Sequence, residues 1–510
     1  MQATKFKSLF SLAAIYKNCV RTVAVTSTTT NTNTENLKPF KDIPGPPSLP
    51  IIGQLHHFMF GGVFTNMEDP KTVTRLTETY GPIIRLDSIF GKPPLLFLSD
   101  PESVAFILRS ENWMPIRPDL ESLEYYRKYY KKNKKAGQGN KFQTTGLSTE
   151  NGKEWKEFRS TVNPVMLQPK TIKLYTAVID EVAQDMIARM KANRDDNNMI
   201  KKDFYKEMNL WALESIGTVA LGCRLNCFDP NLPPESPEWQ LFQCIQDLFT
   251  ISYEIDFKPN LWRLFPTPMF WKAMKLYEKH ENLLKYFIKK GQDNLKNKCG
   301  IERGVLEKLL EINEYTAYIM ASDMLFAGVD TAANTVTATL YLLAKNPEKQ
   351  AKLREEILSK SERRPYLRAC IKESMRLMPV VAGNARKTSK PYNILGYEVP
   401  KDVNIIFTHQ TMSLMENNFP RADEFIPERW LVKKDDPLYY GHSHPFACLP
   451  FGFGVRSCIG RRIAELEMET FMSKLMENFQ VEWFGPPPKT VHRSLNYIMG
   501  PYNFVFRDIK

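Results

Sequence analysis

A mainly helical body with a small antiparallel β lobe is the architecture this sequence predicts, and three observations predict it. Helical periodicity dominates from about Lys170 to Leu377. The short apolar runs Pro82-Ile-Ile-Arg-Leu86 and Leu95-Leu-Phe-Leu98 have the length and composition of strands, and Phe504, Val505 and Phe506 suit another near the C-terminus. Length alone would allow roughly three domains, but no Ser/Gly linker or change of composition divides 41–510, so one large domain is expected there. No internal repeat is present.

From the N-terminus, residues 1–40 place Lys5, Lys7, Lys17, Arg21 and Lys38 around a single acid, Glu35, with an amphipathic start at Phe6, Leu9, Phe10, Ala13 and Tyr16. That composition reads as a mitochondrial transit peptide followed by a disordered linker, Thr26 to Thr34. No window reaches the roughly twenty apolar residues of a bilayer span without charges, so no transmembrane anchor is expected. The run Arg127-Lys-Tyr-Tyr-Lys-Lys-Asn-Lys-Lys135 reads as a solvated face, whereas Leu261-Trp-Arg-Leu-Phe-Pro-Thr-Pro-Met-Phe-Trp271 admits two readings, membrane contact and core packing. The eight cysteines, Cys19, Cys223, Cys227, Cys244, Cys299, Cys370, Cys448 and Cys458, are sparse and lack paired metal spacing, which favours a reducing compartment. Cys223 and Cys227 have no second pair or nearby histidine to complete a zinc site, so they are assigned to packing.

The chemistry concentrates at Phe451-Gly-Phe-Gly454-Val-Arg456-Ser-Cys458-Ile-Gly460, directly before the helical pattern Arg461-Arg-Ile-Ala-Glu-Leu-Glu-Met-Glu. Glycines bend such a loop so that amides turn toward the sulfur, and the positive end of the following helix stabilises a thiolate. A thiolate there can bind a haem iron, with Arg456 meeting a haem propionate; the bland alternative is an inert buried cysteine. Cys448 is the weaker ligand candidate, having neither the following helix nor an arginine two residues before it. Asp330 and Thr331, in Ala327-Gly328-Val329-Asp330-Thr331, interrupt an otherwise apolar helical stretch, where polar side chains are costly unless used. The alternative there is a helix kinked at Gly328 with Thr331 bonding its own backbone. Trp155 and Arg159 share one helical face and can reach one anionic group. Glu373 and Arg376 stand at i, i+3 on a helix, close enough to pair.

The cysteine loop resembles the haem-binding loop of cytochromes P450, and the resemblance runs from about Ile43 to Lys510 with the other motifs in the family's order. It implies the cytochrome P450 fold, opened by Ile43-Pro-Gly-Pro-Pro47 as a stiff proline hinge. It implies haem b with Cys458 as axial thiolate, and Arg456, Trp155, Arg159 and Arg386 at the haem propionates. Glu373 and Arg376 would join Arg429 of Pro427-Glu428-Arg429 in a structural network. Asp330 and Thr331 would be the catalytic pair that relays protons to iron-bound oxygen, with Gly328 leaving room for dioxygen. The implied reaction takes electrons from outside and inserts one atom of O2 into an apolar small molecule.

Net charge is +12, and no nucleic-acid recognition motif accompanies it. Arg368 and Lys372, together with Arg461 and Arg462, match basic positions that mitochondrial P450s use to dock a [2Fe-2S] ferredoxin, itself reduced by an NADPH-ferredoxin reductase. Peripheral attachment at the matrix side of the inner mitochondrial membrane follows as an expectation. The cysteine loop and Leu343-Ala-Lys-Asn-Pro-Glu-Lys-Gln350 look most like insect mitochondrial P450s. Gly383-Asn-Ala-Arg386, Phe425-Ile-Pro-Glu-Arg-Trp430 and Ser160-Thr-Val-Asn-Pro164 resemble members associated with insecticide metabolism. An ecdysteroid hydroxylase is the competing assignment; an electron-independent haem-thiolate isomerase and a non-catalytic haem sensor stand further off, since neither needs the Asp-Thr pair and the basic face together. In one departure from the family, only Ser-Glu-Arg-Arg separates Lys360 from Pro365, where relatives carry a longer stretch.

Overall fold

Glu314–Lys345 forms a helix with apolar residues on every side, which forces it into the interior. The Asn313 side chain starts it by accepting from the Thr316 amide at 2.7 Å. Against it lies Phe204–Ala220, a helix buried along almost its whole length. Trp211 of that helix stacks on Phe471 of Arg461–Asn478, with centroids 4.3 Å apart. Thr176–Asn193 covers this pair with one stripe, Ile179, Val182, Ala183, Met186, Ile187 and Met190, at the spacing of a single helix face. Pro237–Ser252 and the long helix Pro268–Lys296 pack on each other at another side of the central helix.

This computed structural model describes residues 37–49, 53–59, 61–87, 93–118, 120–130, 144–200, 203–258, 260–296, 302–361 and 363–509. The compact unit runs from Lys38 to Lys510, and the transit-peptide expectation for 1–40 lies almost wholly outside the described residues. Among them no helix is long and apolar enough to cross a membrane.

The β lobe contains a four-stranded sheet in the order Ile83–Leu86, Leu95–Leu98, Asn404–Phe407, Asn384–Lys387. Its outer pairings are antiparallel, but Leu95–Leu98 runs parallel to Asn404–Phe407, and Lys38–Pro39 runs parallel to Tyr397–Val399. The sheets are therefore antiparallel-rich rather than wholly antiparallel. A parallel pair needs a long crossover, and here the crossover is most of the helical body. Phe504–Asp508 pairs with Phe479–Trp483, and Lys489–His492 with Asn496–Met499, forming two antiparallel ribbons beside the helices.

The helix Pro365–Leu377 is locked by one carboxylate. Glu373 accepts from Arg376 Nη2 at 2.8 Å, Arg429 Nε at 2.9 Å and Trp430 Nε1 at 2.8 Å, with all three charged side chains fully buried. The remaining guanidinium donors go to backbone carbonyls of Ser413, Pro420, Arg421, Ala422 and Glu424. The short link before this helix is held as well, because Glu356 accepts from the Tyr366 and Leu367 amides at 2.8 and 2.9 Å. A helix N-terminus thus receives a carboxylate from the preceding helix, Pro347–Leu358. Replacing Glu373 by alanine strands two buried guanidinium groups and is expected to lower stability by about 3–5 kcal/mol, read as the shift of a urea midpoint. A midpoint equal to wild type would show the network to be dispensable.

Candidate active site

The cysteine loop is closed by its own backbone, the Cys458 amide donating to the Phe451 carbonyl at 2.9 Å. Between them Gly452 and Gly454 take φ of +71° and +69°, conformations that a side chain resists. Gly460 then leads into the helix Arg461–Asn478. The Gly460 and Arg461 amides reach the Cys458 sulfur, and the Arg159 and Arg461 guanidinium groups face it. Although the residue presents surface to solvent, the protein packed around its sulfur pushes the thiol above its ordinary value, and these four positive groups pull it back down. Among the described cysteines, Cys223, Cys227, Cys244 and Cys370 are buried, Cys448 is half-buried, and Cys458 alone is exposed.

Trp155, Arg159 and Arg456 meet around this loop. The Arg456 guanidinium lies 3.9 Å from the centre of the Trp155 ring and donates to Asn151 Oδ1 at 2.6 Å and to the Glu150 carbonyl at 2.9 Å. Arg159 donates through Nη2 to the Ser457 carbonyl at 2.9 Å, while its buried Nε has no hydrogen-bond partner. Its burial lowers its pKa to about 10, an effect the Cys458 sulfur opposes and Arg117 reinforces. Arg386, on the strand Asn384–Lys387, is committed to Glu111 at 2.6 Å, and Glu111 also faces Arg456. Glu111 thus links the third arginine to the cluster, a residue that no motif singles out. His409, buried beside Arg386 with neither ring nitrogen bonded, is held neutral by that burial and by the arginine, its pKa near 3.

One accessible sulfur with amide donors, set among guanidinium groups with an orphaned Nε, is a donor set that fits a porphyrin iron and its carboxylates. The same groups serve no evident purpose in an inert packing cysteine.

On the central helix, Asp330 and Thr331 separate. Thr331 Oγ1 donates to the Ala327 carbonyl at 2.7 Å, on a face where Ala327 is exposed. Asp330 turns away, accepting from Tyr205 at 3.0 Å and from Tyr497 at 3.3 Å. Burial raises its pKa from 3.8 to about 6, against the hydrogen bonds of Tyr205 and Tyr497. At Gly328 a Cβ would meet Ile216 Cγ1 at 2.9 Å, so its missing side chain admits the neighbouring helix. The expectation of a solvated face at Arg127–Lys135 is overturned at Arg127, which is buried and paired with Asp323 at 2.8 Å, because it ties the segment over the site to the central helix; Lys131–Lys135 lie outside the described residues.

The basic positions also sort themselves. Arg368 spans from Pro365–Leu377 to Glu469 on Arg461–Asn478 at 2.9 Å, Arg461 pairs with Glu465 at 2.8 Å, and Lys372 sits 5.8 Å from the Trp430 ring centre. Arg462 is exposed.

The chain is similar to known proteins along most of its length. The family model "Cytochrome P450" matches residues 43–506. Cytochrome P450 CYP12A2 of Musca domestica is 36% identical, over 95% of this chain and 94% of that protein. The probable cytochrome P450 12a5, mitochondrial, of Drosophila melanogaster is 35% identical, over 92% and 91%. The crystal structure of the cytochrome P450DA heme domain superposes with a TM-score of 0.71 at 18% identity, covering 93% of this chain and 98% of that one.

The raised pKa of Asp330 has a thermodynamic sign. Folding favours its protonated form, so its contribution is fully present below pH 3.8 and is lost as pH rises through about 6. Measured against Asp330→Asn, wild-type stability should fall across that window; a difference independent of pH would place the folded pKa at its ordinary value.

Proposed function

The chain belongs to the cytochrome P450 family and is a monooxygenase of it, and from that premise we propose a mitochondrial enzyme in which Cys458 supplies the thiolate to haem b. The observation that carries the assignment is the cysteine loop, whose sulfur is accessible, met by two backbone amides and flanked by Arg159 and by Arg456 on Trp155. Bound there, haem would supply the activation of dioxygen that no protein side chain provides. Trp155, Arg159 and Arg456 hold its propionates in this reading, and Arg386 reaches one only by sharing its charge with Glu111.

The remaining steps fall to this chain's own residues. Thr331 offers a hydroxyl on the exposed face of the central helix, where its bond to Ala327 can be exchanged for one to a bound oxygen or water. Asp330 carries the proton, and a pKa near 6 lets it both take up and release one near neutrality. The motifs Ser160–Pro164, Gly383–Arg386 and Phe425–Trp430 favour a xenobiotic such as an insecticide over an ecdysteroid.

Electrons would come from a [2Fe-2S] ferredoxin. Arg368, Lys372, Arg461 and Arg462 lie on two helices joined by the Arg368–Glu469 pair, one of them starting at the cysteine loop. Arg368 and Arg461 are already paired with carboxylates, so Lys372 and Arg462 carry more of the unbalanced charge. Leu264, Phe265 and Trp271, with exposures of 75, 54 and 47%, give an apolar edge suited to peripheral contact with the inner mitochondrial membrane.

The carbon monoxide difference spectrum of the dithionite-reduced protein tests the central assignment. Wild type is expected to show the Soret band of thiolate-bound haem and Cys458→Ser to lose it; an unchanged band in the variant would refute the ligand. Ferredoxin-supported haem reduction should weaken steeply with salt, and Arg462→Ala should flatten that slope. A salt-independent rate would exclude electrostatic docking.

A further inference from the structure

Asp330 is not sealed off from solvent. A cavity of about 250 Å³ lies beside it, walled by Tyr205, Gln246, Thr250, Arg493 and Tyr497. Gln243, Asp247 and Thr250 also line it and are exposed, so bulk water reaches its mouth. At the inner end each carboxyl oxygen of Asp330 has its own phenol donor, Tyr205 on Oδ1 and Tyr497 on Oδ2. The Asp203 side chain fixes Tyr205 by capping its helix, accepting from the Tyr205 amide at 3.1 Å. Tyr497 lies on the strand Asn496–Met499. Burial and the Asp330 charge hold both phenols far above the ordinary tyrosine range, so they remain donors.

The other polar groups at the cavity are Gln243, Gln246, Thr250 and the charged Asp247 on Pro237–Ser252, the Tyr253 phenol that follows that helix, and Arg493 and Ser494 beyond the strand Lys489–His492. Among the described residues no cation pairs with Asp330. Its carboxyl is therefore held by neutral donors, and burial is left to favour the protonated form. Thr331, the next residue, points elsewhere and bonds Ala327. The carboxyl faces the cavity, and the hydroxyl lies on the other side of the helix, beside the exposed Ala327.

Resting on the proton-carrying role given above to Asp330, we propose that this cavity is the proton entrance of the enzyme, with Tyr205 and Tyr497 as positioning residues that hold the Asp330 carboxyl at its inner end. A proton passes from cavity water to the carboxylate, and bulk buffer neutralises the hydroxide left behind. The carboxyl then leaves its phenol partners, gives that proton inward, and returns as the carboxylate. No electron moves in this step, and bulk water is the only proton source it needs.

Two readouts test it. One is the infrared C=O band of the Asp330 carboxyl in the ferric enzyme, identified by its loss in Asp330→Asn and titrated with pH. The other is the solvent isotope effect on NADPH oxidation supported by a [2Fe-2S] ferredoxin and its reductase. Joint Tyr205→Phe and Tyr497→Phe substitution removes two donors to the charged form. Its titration midpoint is expected to rise by about one pH unit, a tenfold change in proton affinity, and its isotope effect to grow. Thr250→Trp, which plugs the mouth, is expected to enlarge the isotope effect as well. An unmoved midpoint in the tyrosine variant, or an unmoved isotope effect in Thr250→Trp, overturns the entrance while Asp330→Asn remains impaired. Wild-type isotope effect and coupling in Asp330→Asn would instead remove the role of Asp330, and the entrance with it.

Discussion

One buried carboxylate sets the frame on which the rest depends. Glu373 has no exposed surface, and its two oxygens hold Arg376, Arg429 and Trp430 together. A charge taken so far from water is tolerated only when its partners are complete. Here completeness means that the segment from Ser413 to Trp430 must wrap Pro365–Leu377 with its carbonyls turned inward. That segment is followed in the chain by the cysteine loop. The network anchors the chain at Trp430, and the loop's own closure, from Cys458 to Phe451, bends the backbone that carries the sulfur.

Around the sulfur the problem is one of like charge. Arg117, Arg159, Arg456 and Arg461 lie in a small region, and the pKa of Arg159 is depressed chiefly by its burial and further by Arg117. Arg456 relieves part of the repulsion through carbonyl oxygens and the face of Trp155, and Glu111 relieves more by serving Arg386 and Arg456 together. Arg159 keeps a buried Nε without a hydrogen-bond partner, and the propionates of a bound haem would bring carboxylates to this group of guanidinium side chains.

Local pattern carried much of this into view. The strands at Ile83–Leu86 and Leu95–Leu98 and the helices between Lys170 and Leu377 follow from periodicity, because burial of one face acts over a few residues. The Cys458 loop was legible for the same reason: glycines, arginine and cysteine all sit within ten residues. What escaped depends on pairs far apart in the chain. The parallel pairing of Leu95–Leu98 with Asn404–Phe407 has no local signature. Nor do the meetings of Arg127 with Asp323, Arg386 with Glu111, or Asp330 with Tyr205 and Tyr497. Arg127 was hidden for a further reason, since it opens a basic run that resembles a solvated face and only its partner across the fold reveals that it is buried.

Asp330 and Thr331 are adjacent in sequence, yet a helix turns about 100° between neighbours. That turn puts a carboxyl and a hydroxyl on different sides of one rigid element, one bonded to buried phenols and one beside an exposed alanine. Had the acid stood three or four residues from the threonine, both would share a face and water would reach them together. With the pair adjacent, a single helix can separate a solvent-facing compartment from a reaction compartment, and a side-chain rotation suffices to cross between them. The apolar packing of Gly328 on Ile216 keeps the helix wall tight at that level. In the proposed reaction, proton traffic would be restricted to a group that can be charged on one side and neutral on the other, which a buried carboxyl with a pKa near 6 can be and a threonine hydroxyl cannot.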